Sequence, residues 1–112
     1  MDGAESLSVG EVLQLRAQVA RREGDLVEAE ASLAGALNII ESQIGAESWE
    51  VAEVLLALAE VYFQKQKYSP TEAVLRRAVE LCRQLLSDDD RRWIEVYHLQ
   101  GKLSLEDRKS VV

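Results

Sequence analysis

The chain has 112 residues, the length of one domain, and its 47 % hydrophobic and 29 % charged residues exclude a disordered polymer. A formal net charge of -7 disfavours nucleic acid and anionic membrane as partners, and no stretch approaches the roughly 20 apolar residues that insert into a bilayer. The acidic start Met1-Asp2-Gly3-Ala4-Glu5 is unlike a targeting segment, and the lone Cys82 fits a reducing cytosolic or nuclear compartment, with association with the cytoskeleton left open.

Five helices are predicted. The first starts near Ser8, where Ser8 and Glu11 fit a capping box, and ends near Glu23-Gly24. The second runs from Asp25 to Ile44 and stops at Gly45. The third follows Ser48, with Trp49 in its first turn, and continues to Gln66. Ser69-Pro70-Thr71-Glu72 reads as a capped start for the fourth, which reaches Leu86. Ser87-Asp88-Asp89-Asp90 is a turn whose acids favour the start of a fifth helix over residues 91–105. Residues 1–7 are expected to be a flexible N-terminus, 8–105 the helical domain and 106–112 a flexible tail.

Residues 24–41 and 66–83 are one helix written twice, 42 positions apart: Leu26 with Tyr68, Glu30 with Glu72, Leu33 with Leu75, Ala36 with Ala78. The flanking helices hold the register over three copies, as in Val12/Val54/Val96 and Ala17/Ala59/Gly101. A period of this size marks an all-α array of antiparallel helix pairs, each burying its apolar face on its neighbours. A helical bundle with accidental self-similarity is the alternative.

No catalytic constellation is present. One histidine, one cysteine and scattered glycines give no metal-ligand spacing and no phosphate loop, so the chain is read as a non-enzyme without cofactor or metal. Asp88-Asp89-Asp90 lacks the alternating ligands of a calcium loop, and Cys82 lies on the apolar stripe of the fourth helix.

Ala59-Glu60-Val61-Tyr62, Lys67-Tyr68 and Ala73-Val74-Leu75-Arg76-Arg77-Ala78-Val79-Glu80-Leu81 together resemble a tetratricopeptide repeat (TPR). The earlier copy shows Ala17, Ala20, Gly24-Asp25-Leu26, Glu28-Ala29-Glu30 and Ala36-Leu37. The extension over residues 39–48 makes the unit similar to the long repeats of kinesin light chains. HEAT and armadillo units share the period, but the small residues and the Gly-Asp-Leu and Lys-Tyr turns favour TPR. Thr71 in place of Ala29 and Gln66 in place of Gly24 depart from the first copy. The resemblance implies a short solenoid of about two and a half repeats, the third copy having only its first helix.

It also implies a concave face built from the first helix of each pair, where a partner protein or peptide binds. The matching positions are Glu11, Gln14, Gln18 and Arg21, then Glu53, Leu56, Glu60 and Phe63, then Glu95, His98 and Lys102. Leu56 and Phe63 are the expected anchors, and the carboxylates favour a basic or mixed-charge ligand. The lysine- and asparagine-lined carboxylate clamp of chaperone-binding relatives is not matched, nor is the basic cargo groove of kinesin light chains. The apolar fifth helix, with Trp93 and Tyr97, is a second candidate interface, either for a partner or for self-association in an oligomeric subunit. Ser110-Val111-Val112 resembles the terminal motif read by PDZ domains.

Overall fold

The structure, a computed structural model, describes the backbone of residues 3–111 and the side chains of residues 8–106. It forms α1 (Gly3–Arg22), α2 (Leu26–Gln43), α3 (Trp49–Gln64), α4 (Tyr68–Leu85) and α5 (Trp93–Val111). Each helix packs on the next, α1 on α2, α2 on α3, α3 on α4 and α4 on α5, in a body of 52 × 34 × 20 Å. The chain is a short helical solenoid.

Two helix caps and two chain reversals explain the repeat. Asp25 caps α2 by accepting from the Glu28 amide at 3.1 Å, and Ser48 caps α3 by accepting from the Val51 amide at 3.3 Å. After α1 the chain reverses at Gly24, φ +80°, with the Asp25 amide donating to the Ala20 carbonyl at 2.8 Å. After α3 the same reversal recurs 42 residues on, at Gln66, φ +62°, with the Lys67 amide donating to the Tyr62 carbonyl at 2.9 Å. This closing pattern needs a left-handed residue, and Gln66 adopts it without glycine's freedom.

Three local expectations are corrected. Ser8 is no cap, because α1 already runs from Gly3 and places Ser8 inside it. The box predicted at Ser69 and Glu72 is not made either. Lys67 is the cap residue of α4, without a side-chain bond, which puts Pro70 in the first turn where its missing N–H leaves no gap. Glu72 instead pairs with Arg76 one turn on, at 2.9 Å. The fifth helix starts at Trp93 and extends to Val111, beyond the expected end at Leu105.

The core is one continuous cluster from Ala17 to Leu99, centred on Val51, Val54, Leu55, Leu56, Ala59 and Val61 of α3. Burying a leucine or valine is worth roughly 1.5–3 kcal/mol, so α3 is the principal source of stability. Ala17 and Ala59 are fully buried at the positions where paired helices cross closely. Thr71 takes the buried place of Ala29 by donating its hydroxyl to the Lys67 carbonyl at 2.7 Å, which satisfies the extra polar atom.

Candidate functional site

The face predicted as a groove is crossed by a ladder of charge. Glu60 on α3 accepts from Lys102 on α5 at 3.2 Å and pairs with Arg21 on α1 at 3.6 Å, so three predicted residues from three repeats meet. Lys102 also lies 5.3 Å from the centre of the Phe63 ring, whose other neighbour is Tyr68 at 5.6 Å. Phe63 is therefore half-buried beneath the ladder. Leu56 is only 2 % exposed, packed in the core, and offers a ligand no surface. Its helix, α3, lies in the middle of the stack and packs on α2, α4 and α5.

The other residues of the first two copies form an open cleft between α1 and α3. Glu11, Gln14 and Gln18 of α1 and Glu53 of α3 line about 470 Å³, together with Leu15, Ile40, Ile44 and Glu50. Three carboxylates and no basic side chain stand around an aliphatic floor. Leu15, Ile40, Ile44 and Glu50 were not singled out from the sequence, yet Leu15 is one helical turn from Glu11, the spacing that shares a face. Ile44 joins the cleft through its place as the C-cap residue of α2.

Glu95 and His98 are exposed on α5. His98 borders a shallow patch with Tyr97, Gly101, Lys102, Ser104 and Leu105. The two aromatic residues of that helix separate. Trp93 is buried and donates its indole N–H to the Ser87 carbonyl at 2.9 Å, while Tyr97 stacks on it at 5.5 Å and remains exposed.

The turn before α5 is held by charge. Asp90 accepts from the Arg92 backbone amide at 2.9 Å and from both ends of its guanidinium, which lowers the carboxyl pKa to about 2. The same guanidinium sits 4.3 Å from the Trp49 ring, tying the turn to the start of α3. Asp88-Asp89-Asp90 thus builds a turn, with Ser87 donating to Asp89 at 2.9 Å. Cys82 is buried, and burial pushes its thiol pKa up, away from the reactive thiolate.

Among the described residues, no cluster of histidine, cysteine and carboxylate side chains could hold a metal ion, and no helix is long and apolar enough to cross a membrane. Ser110-Val111-Val112 lies outside the residues whose side chains are described. Comparison with curated proteins and with solved structures returned no match. The tetratricopeptide repeat model matches residues 8–84, which span most of α1, all of α2 and α3, and α4 to its penultimate residue. With paired helices, a repeated left-handed turn and small residues at the crossings, the chain belongs to the tetratricopeptide repeat family.

Proposed function

We propose that this chain is a non-catalytic adaptor that binds a basic, partly aliphatic peptide segment in the cleft between α1 and α3. The observation that carries this reading is the chemistry of that cleft: Glu11, Glu50 and Glu53 around Leu15, Ile40 and Ile44. Lysine or arginine side chains meet the carboxylates while an aliphatic side chain covers the floor, and charge complementarity steers the encounter. Glu60 contributes little to such a ligand because Arg21 and Lys102 already engage it. The acidic cleft differs from the basic cargo groove implied by the kinesin light chain resemblance, so a different ligand class is expected. A cytoplasmic setting is part of the same reading.

The test is selection from a random displayed peptide library, followed by fluorescence anisotropy on the recovered peptides. Peptides rich in lysine or arginine that lose at least about tenfold affinity on Glu53→Lys support the cleft, a loss of about 1.4 kcal/mol. Acidic peptides, or peptides indifferent to Glu53→Lys and Glu11→Lys, sink it. A second reading, a subunit assembled through α5, is favoured by the exposure of Ile94, Tyr97 and Leu105 on that helix.

A further inference from the structure

The repeat register identifies what the exposed side of α5 is shaped to receive. In the first pair, Gly10 and Leu13 of α1 face α2: a Cβ on Gly10 would meet Ile39 and Ile40 at 3.5 Å, and a Cβ on Gly35 would meet Leu13 at 3.2 Å. In the second pair the equivalents Ala52 and Leu55, and Ala59 at the register of Ala17, are buried on α3, with α4 as the partner helix. Another 42 residues on, the same positions are Ile94, Tyr97 and Gly101. Ile94 is 69 % exposed, Tyr97 is 60 % exposed, and a Cβ on Gly101 would meet nothing within 4 Å. The third first-helix thus carries the small crossing residue and its flanking apolar side chains, with no second helix upon them among the described residues.

The neighbouring wall of α4 is open in the same way. Between α4 and α5 lies a cleft of about 750 Å³ with Leu75, Val79, Arg83, Gln100 and Leu103 on its walls. One repeat earlier the equivalent positions on α2 and α3 are Leu33, Leu37, Glu41, Leu58 and Val61. There α4 packs on α3, and its Arg77 reaches Glu41 of α2 at 2.8 Å. The register partner of Glu41 is Arg83, which pairs with Glu80 of its own helix at 3.5 Å and stays largely exposed, so the charge at this position is reversed and an acidic residue suits it.

We propose that the cradle formed by α4 and α5 docks an amphipathic helix of a partner protein, seated as α2 sits on α1 and α4 on α3, with a carboxylate opposite Arg83. The site continues the two intramolecular helix-pair interfaces by strict register, which fixes both the secondary structure and the charge of the occupant. A second copy of this chain is a poorer occupant. Its other exposed apolar face, Val9, Val12, Leu15 and Val19 on α1, is also a first-helix face, so end-to-end stacking leaves the second-helix position empty. The site is separate from the α1–α3 cleft, and either can fail without the other.

The probe is a fluorescein-labelled peptide with the sequence of residues 67–86 carrying Arg77→Glu, titrated against the intact chain. Binding that falls at least tenfold on Gly101→Leu or Tyr97→Glu, and is unchanged on Glu53→Lys, supports the cradle. Exchange of charge sharpens the readout: Arg83→Glu must weaken this peptide and strengthen the peptide that keeps Arg77. Gly101→Leu adds a side chain in open space on a helix, and circular dichroism checks that it stays folded. Binding indifferent to Gly101, Tyr97 and Arg83 overturns the proposal. So does a concentration-dependent dimer in sedimentation that Gly101→Leu abolishes, which would assign the face to a second copy.

Discussion

α3 and α5 occupy the same register of the repeat, yet one lies in the middle of the stack and the other at its end. Leu55, Leu56 and Ala59 on α3 are essentially inaccessible, whereas their counterparts Tyr97, His98 and Gly101 on α5 are exposed. The opposite face behaves alike in both helices: Val51, Val54 and Val61 are buried, as are Trp93 and Val96 on α5. A solenoid helix therefore has two separable apolar faces, one for the pair before it and one for its own partner helix. α5 keeps the first and shows the second to solvent. α1 has the reverse arrangement, burying Ala17 under α2 while Val12 and Val19 are exposed.

The sharpest break of that comparison is charge. Leu56→Glu places a carboxylate in the apolar core and should cost more than about 4 kcal/mol, enough to unfold the chain, because the buried charge loses its hydration. His98→Glu, at the same register in α5, should stay within about 0.5 kcal/mol of the wild type in urea unfolding. Equal effects would mean that α5 is covered in solution.

The crossing residues give a smaller effect and opposite signs. Ala59→Leu overfills a closed contact and should destabilise by about 1–3 kcal/mol. Gly101→Ala should stabilise by about 0.5–1 kcal/mol, since alanine suits a helix and its Cβ meets nothing. Thermal melts of both variants check the pair. A destabilising Gly101→Ala would show that the crossing on α5 is already occupied.

The turns add a comparison of their own. Gln66→Gly should raise stability by about 0.5–1 kcal/mol by removing a left-handed strain that Gly24 avoids. Replacing Gly24 with glutamine should lower stability by a similar amount, read from the same denaturant midpoint.

The smallest effect concerns pH. Asp90 is depressed to about 2 by Arg92, so its contribution is complete above the unfolded value of about 4 and is lost as pH falls toward 2. The difference in Tm between the wild type and Asp90→Asn, present at pH 6, should close over that window. A difference that persists at pH 2 would show that the carboxylate charge is not what holds the turn before α5.

Much of this architecture was legible in the residues. Apolar spacing within each segment places the helices, Gly24 and Gly45 mark two ends, and the 42-residue register gives the pairing. The caps at Ser8 and Ser69 misled because capping boxes are short local patterns, and helix α1 had already started while Lys67 closed the Gln66 turn. For the candidate site, Glu11, Gln14, Gln18 and Glu53 share a cleft as their spacing implies, but Leu56 does not join them. Along the same offset of α3, Glu53 is exposed, Glu60 and Phe63 are half-buried and Leu56 is core, a gradation that helical spacing alone does not give.

The sequence by itself determined five helices, their pairing and the repeat family, since periodicity, caps and register are properties of the chain within one 42-residue unit and its copy. Only the tertiary structure decided which apolar residues are core and which are surface. Burial depends on how many helices stand beside a given one, and no local pattern counts neighbours. That is why Leu56 lies in the core, why Phe63 lies under Lys102, and why Tyr97 and Ile94 stand open on α5.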